Sequence, residues 1–184
     1  MLYCQPEIAE AGSIAITPEV FDVARLATEI ATLQQFGART DQPKTLGFDP
    51  ATFGAFAPRT MQTTQEVIQV AESQTGYPVR GVGITVLLCG AGVWFPAHID
   101  ELPLRRVTLQ LAGTVQVDEY TPGNYPPGDL ITEPGEIIKT SDLPPGAVMS
   151  IDNTCQPLDR APHATRTPKT ISTPRLAVVA TLFG

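Results

Sequence analysis

The sequence predicts a mainly β chain with flanking N-terminal helices, its strands folded into an antiparallel sandwich or barrel. Three observations predict this class. From about residue 79 onward, short apolar runs rich in β-branched residues recur between turn signals. Glycine (15) and proline (18) are spread along the chain and favour many turns over long helices. The first third instead carries apolar residues at helical spacing. A length of 184 residues fits a single domain over 1–184, and a hydrophobic fraction of 42% supplies a core. Residues 1–78 are expected to form a helical and loop region for support and as a lid, and residues 79–184 the β core.

In chain order, Thr17-Pro18-Glu19 reads as a helix start. It offers a hydroxyl for the N-cap, proline at the first helical position and an acid in the first turn. Val20, Ala24, Ala27 and Ala31 continue at helical spacing, Phe21 and Ile30 widen the stripe, and Gly37 is the expected stop. Thr63 and Glu66 have capping-box spacing, predicting a second helix that ends by Gly76. Between the two, residues 41–58 are punctuated by proline and glycine and read as a loop that covers a pocket. Strands are expected at 83–89, 107–111, 114–120, 147–151 and 175–183, where β-branched or alternating patterns hold. The Pro/Gly-rich 121–135 is a loop, and Asp152 and Asn153 read as a turn.

Composition excludes several classes of function. Asp+Glu is 19 against 12 Lys+Arg, a net charge of −7 without a basic block, which argues against nucleic-acid partners. No apolar run reaches the roughly 18 residues of a membrane span. The N-terminus MLYCQPEIAEAG carries acids where a signal peptide has lysine or arginine, so a cytoplasmic location is expected. Cys4, Cys89 and Cys155 are odd in number and form no CxxC, which fits free thiols, Cys89 being buried rather than reactive. There is no phosphate-binding glycine loop and no Ser-His-Asp signature.

The chain has two histidines. His98 and Asp100 stand two residues apart, and in an extended segment such residues point to the same side. His163 lies between the strands at 147–151 and 175–183. Taken alone, His98 and Asp100 are better read as a hydrogen-bonded pair with no further role. Two imidazoles and one carboxylate converging on a point, with other positions open, are also the donor set that holds Fe(II) in non-haem oxygenases. Arg175 follows His163 by 12 residues and opens the last strand; if it faces inward it needs a partner. Of the adjacent Arg105 and Arg106 only one can face the interior, where it could grip an acidic substrate; a solvated strand end suits the other. Trp94 and Phe95 are candidates for the pocket mouth or the core, and Tyr120 for the metal site or for packing.

In combination, His98-x-Asp100, the distal His163 and Arg175 on the last strand resemble the 2-oxoglutarate- and Fe(II)-dependent dioxygenases. The resemblance covers about Gly83 to Gly184. It implies a double-stranded β-helix, a jelly-roll or cupin-like barrel. It also implies that His98, Asp100 and His163 are catalytic iron ligands and that Arg175 binds the distal carboxylate of the cosubstrate 2-oxoglutarate. The implied activity is hydroxylation of a C–H bond in a small molecule or peptide side chain, with release of succinate and CO2. The family often has Arg-x-Ser on the last strand; here Arg175-Leu176-Ala177 lacks the hydroxyl, which leaves the cosubstrate contacts open. Two other readings remain: a cupin-like metal enzyme that does not use 2-oxoglutarate, though such proteins usually carry more histidines, and a non-catalytic β-barrel binding module.

Overall fold

The computed structural model describes residues 1–39, 42–99, 105–123, 125, 131–154, 162–170 and 173–184. Among them are three α-helices and ten strands. The helices are α1 (Ala27–Gln34), α2 (Pro50–Phe56) and α3 (Pro58–Thr75). The strands are β1 (Ile14–Thr17), β2 (Lys44–Phe48), β3 (Gly81–Cys89), β4 (Trp94–His98), β5 (Arg105–Ala112), β6 (Val115–Tyr120), β7 (Ile137–Leu143), β8 (Val148–Asp152), β9 (His163–Arg166) and β10 (Arg175–Phe183). They form two antiparallel sheets, a larger one ordered β1-β8-β5-β10-β3-β2 and a smaller one ordered β4-β9-β6-β7. The architecture is the jelly-roll barrel expected from the sequence.

Strand β10 shows how the pleat divides the residues of the larger sheet. Leu176, Val178, Ala180 and Leu182 point outward and join Ile84, Val86 and Leu88 of β3 and Val107, Leu109 and Leu111 of β5. The helices cover this face with Leu33, Phe53, Met61, Val67, Ile68 and Ala71. The alternate residues of β10, with their partners on β3 and β5, face the smaller sheet. There, Ile14, Met149 and Ile151 meet Val115, Val117 and Leu143 of the opposing strands. A second inter-sheet contact joins Leu87, Cys89, Val93 and Ala177, with Phe95 packed against them.

The strands expected at 83–89, 107–111, 114–120, 147–151 and 175–183 are present with boundaries shifted by a few residues. The N-terminal region departs from expectation. Thr17 is not a helix cap: it ends β1, opposite Val148, and Glu19 adopts a positive φ of 52°. The helical segment starts after Asp22, whose side chain accepts from the Ala24 amide (2.9 Å) and opens a short 3-10 turn that runs into α1. Residues 41–58 are not a continuous loop, since they include β2 and α2, with Asp49 capping α2 through the Thr52 amide (2.9 Å). Helix α3 begins at Pro58 rather than Thr63. Its orphan N-terminal amides are capped in trans: Glu29 of α1 accepts from the amides of Arg59 (3.0 Å) and Thr60 (2.8 Å) and from the Thr60 hydroxyl (2.7 Å). Gly76, at φ 64°, ends the helix in the left-handed conformation, where the sequence placed its stop. Strands β1 and β2 both come from the first 78 residues and form the two edges of the larger sheet.

One ion pair fastens α3 to this sheet. Arg105, at 5% exposure, points outward and pairs with Asp152, its cross-strand partner at 1% exposure. The guanidinium also donates to the Thr75 hydroxyl and lies 5.0 Å from the Tyr77 ring centroid. Asp152 uses its other carboxylate oxygen to accept from the Thr154 amide (2.8 Å), so it makes the expected turn while ending β8. Replacing Asp152 with alanine leaves the Arg105 charge buried and unpaired. The expected loss is about 3–5 kcal/mol of unfolding free energy in urea titration, with a smaller loss in the Arg105→Met, Asp152→Leu double variant.

Candidate active site

Both histidines face the gap between the sheets, His98 by way of a β-bulge. Strand β4 is an edge strand. Phe95 pairs with Thr165 and His98 with His163, so Pro96 and Ala97 together stand opposite the single residue Ala164. A proline fits at such a position because its missing N–H breaks no ladder. The extra residue shifts the pleat by one step: Phe95 and His98 both line the inter-sheet cavity, while Ala97 and Ile99 turn away to pack with Tyr120, Ile131 and Ala164. Strand β9 alternates regularly, with His163 and Thr165 toward the cavity and Ala164 away.

The imidazole centroids lie 4.4 Å apart with planes inclined at 51°. His98 Nδ1 lies 2.8 Å from the Pro96 carbonyl oxygen. A carbonyl only accepts, so Nδ1 carries the proton and the lone pair is on Nε2. His163 is buried at 4% exposure. Asp100 lies outside the described residues.

Arg175 opens β10 on the inner face and is 2% exposed, a guanidinium almost wholly removed from water. Its Nε donates to Gln110 Oε1 (3.4 Å) and Nη1 to Thr165 Oγ1 (3.3 Å). The orientation of Gln110 is fixed from behind. Its amide nitrogen donates to the carbonyls of Ala112 (2.8 Å) and Gly113 (2.7 Å), which leaves Oε1 for the arginine. Gly113, at φ 67°, turns β5 into β6 against the start of β10: a Cβ there would stand 3.0 Å from Arg175 Cα. Cys89 is the cross-strand partner of Arg175. Burial pulls the Arg175 pKa below the ordinary guanidinium value and pushes the Cys89 thiol up, each offset in part by the other.

His98, His163, Thr165 and Arg175 border one cavity of about 240 Å³, with Gln110 behind the guanidinium. The structure therefore brings His98, His163 and Arg175 together. It also brings in residues that the sequence reading did not single out for the site: Thr165, Gln110, Thr45 and Thr85, neutral polar residues whose roles depend on which way a strand faces. Thr181, on the inner face of β10, lines the cavity as well, as does Arg106, the inward member of the arginine pair. Tyr120 does not line the cavity with the histidines; it is on the outer side of β6 among Ala97, Ile99 and Ala164. Trp94 is exposed and Phe95 is the cavity residue of that pair.

No family model matches the sequence, and no curated protein sequence matches it. Solved structures do match in fold. A prolyl-4-hydroxylase from Pseudomonas putida aligns with a TM-score of 0.60 at 9% identity, covering 94% of this chain and 92% of that one. The epimerase SnoN, solved with Fe3+, α-ketoglutarate and nogalamycin RO, aligns with a TM-score of 0.64 at 18% identity over 94% of this chain and 79% of SnoN. The non-haem, α-ketoglutarate-dependent carbocyclase SnoK from nogalamycin biosynthesis gives 0.64 at 14% identity over 94% and 80%. The chain has the fold of these three enzymes. Among the described residues, no helix is long and apolar enough to cross a membrane.

Two measurements check the geometry around Arg175. Gln110→Leu removes the Nε acceptor and strands two buried carbonyls, and is expected to cost about 1–3 kcal/mol of stability in denaturant titration. Iodoacetamide at pH 8 is expected to label the exposed Cys4 but not the buried Cys89 in the native protein, and both in urea, read by peptide mass spectrometry.

Proposed function

We propose that the protein is a non-haem Fe(II)- and 2-oxoglutarate-dependent oxygenase that hydroxylates a C–H bond of a small molecule or peptide side chain, releasing succinate and CO2. The observation that carries the reading is the alignment of two imidazoles and a buried guanidinium along one cavity wall. Arg175 is hydrogen-bonded to Thr165, and His163 stands two residues along the same strand, about 7 Å away. A five-carbon keto diacid spans that distance with one end beside the histidines and the other at the guanidinium.

The donor set suits the metal. His98 and His163, with Asp100 as the carboxylate indicated by the sequence, would hold Fe(II) as a facial triad. The carbonyl of Pro96 holds His98 in the tautomer that presents Nε2, and its rigid position on the bulge orients the ring. Bound there, Fe(II) supplies the redox chemistry that splits the keto acid and oxidises the substrate. Arg175 supplies a planar pair of donors to the distal carboxylate, and its removal from water strengthens that contact. Thr165 stands where it can share its hydroxyl with the same carboxylate, in place of the serine that Ala177 lacks. Leu87, Phe95, Val179 and Met149 give the cavity apolar walls that exclude water from the reacting atoms. The known activities of fold neighbours, a hydroxylase, an epimerase and a carbocyclase, support an oxidative role while differing in product.

Anaerobic titration with Fe(II) and 2-oxoglutarate tests the proposal through the visible charge-transfer band of an iron–keto acid chelate. The band is expected in the wild type and lost in His98→Ala and His163→Ala. In Arg175→Met, iron binding persists and 2-oxoglutarate affinity falls by about thirtyfold or more. Iron binding without the band would favour a cupin-like enzyme that does not use the keto acid. No iron binding at all would leave a non-catalytic barrel.

A further inference from the structure

Two arginines of the sheets have carboxylate partners, Arg105 with Asp152 and Arg166 with Asp118. Arg175 is more deeply buried than either, yet among the described residues no carboxylate pairs with it. Its side-chain partners are neutral: the amide of Gln110, the hydroxyl of Thr165 and the thiol of Cys89. Burial pushes the Cys89 thiol up, so it stays protonated and adds no negative charge.

The contacts to the guanidinium are also long. Gln110 and Thr165 lie 3.4 and 3.3 Å from it, whereas ordinary N–H···O bonds are about 2.7–3.2 Å and charge-assisted ones about 2.7–2.9 Å. Gln110 binds the turn behind it more closely, at 2.8 and 2.7 Å to the carbonyls of Ala112 and Gly113. Its backbone is held as well: the N–H donates to the Ala147 carbonyl (3.0 Å), and the C=O accepts from the Gly146 amide (2.8 Å). Where β5 meets β10, Leu111 is an extra residue between Gln110, opposite Ala177, and Ala112, opposite Leu176. A bulge bends its strand, and the two carbonyls that grip Gln110 follow this one directly. Gln110 is therefore fixed, and the guanidinium is steered by an acceptor that does not neutralise it.

A glutamate at position 110 would fill the same space and bind the guanidinium about twice as strongly. It would also cancel the charge that a ligand carboxylate needs. We propose that Gln110 is a positioning residue that determines cosubstrate specificity: a neutral acceptor locked by the β5–β6 turn, it holds Nε of Arg175 and leaves the guanidinium charge to the distal carboxylate of the keto acid. The proposal rests on Arg175 taking that carboxylate.

Calorimetric titration of the Zn(II)-loaded protein with 2-oxoglutarate and with 2-oxopentanoate, the same keto acid without the distal carboxylate, tests it. The wild type is expected to prefer 2-oxoglutarate by about thirtyfold or more. In Gln110→Glu that preference drops at least about tenfold while the affinity for 2-oxopentanoate stays within about twofold of wild type, because only the distal end meets the compensated guanidinium. A smaller drop overturns the proposal, and so does equal weakening of both ligands, the mark of a general disturbance of the site. Should Gln110→Glu fail to fold, Gln110→Leu carries the test. It removes the Nε acceptor, and the preference is expected to fall at least about threefold with 2-oxopentanoate binding again preserved. An unchanged preference in that variant overturns the proposal. If the wild type binds neither keto acid, the oxygenase reading fails instead. The role of Gln110 is then decided in the metal-free protein with glutarate, which is expected to shift the Arg175 Nε–H NMR signal in the wild type and not in Gln110→Glu. No shift in the wild type, or the same shift in both, overturns the proposal.

Discussion

A guanidinium cannot be buried between two sheets without hydrogen-bond partners, and Arg175 sets this requirement at the centre of the barrel. Its solvation is replaced by Gln110 and Thr165, one from each sheet, so the charge ties the two layers together where an apolar pair would merely touch. Gln110 can serve only because the β5–β6 turn presents two carbonyls to its amide nitrogen. That turn can pass so close to β10 only because residue 113 has no side chain. The arrangement is expensive for a structural purpose alone, since a hydrophobic cluster of similar volume would hold two sheets together at least as well. A fixed, desolvated cation at the floor of a cavity is better explained by an anion that visits it.

The two arginines of β5 show how one chain position can separate architecture from chemistry. Arg105 and Arg106 are chemically identical and adjacent, and the pleat sends them to opposite faces. The outward one meets an acid on β8, a hydroxyl and an aromatic ring at the end of α3, and anchors a helix. The inward one lines the cavity between the sheets. Nothing in the local sequence assigns these roles; the register of β5 against β8 does.

The legible parts of the sequence were those with strong local signals. The strands at 83–89, 107–111 and 175–183 carry continuous or alternating apolar patterns because both of their faces, or one whole face, are buried. Gly76 marked a helix end because only a residue tolerant of positive φ ends α3 in that way. The misread parts have long-range causes. The start of α3 is capped by Glu29, thirty or so residues earlier, so no local capping signal marks Pro58. Strand β7 escaped notice because its burial is confined to one end, leaving Ile137 and Ile138 exposed beside polar residues. Strand β2 and helix α2 are short and lie among prolines that normally signal loops. At the site, the pairing of His98 with His163 was suggested by composition, since the chain has only these two histidines. Thr165 and Gln110 were invisible because neutral polar residues acquire meaning only from facing.

The bulge at Pro96 and Ala97 makes the distance between Phe95 and His98 a counted quantity. In a regular strand, residues three apart face opposite sides; here they share one, and the odd residue is absorbed opposite Ala164. Flattening the bulge at its present length would exchange the sides of His98 and Ile99, so that an imidazole entered the apolar layer with Tyr120 and an isoleucine took its place beside His163; loss of one spacer residue would instead leave Phe95 and His98 two apart, on the same side of a regular strand. The facing of His98 therefore depends on the extra residue being absorbed opposite Ala164, whatever side chain it carries. A strand with one spacer and no bulge would present the same two side chains to the cavity, so the bulge is one of two chain lengths that solve the same problem of facing.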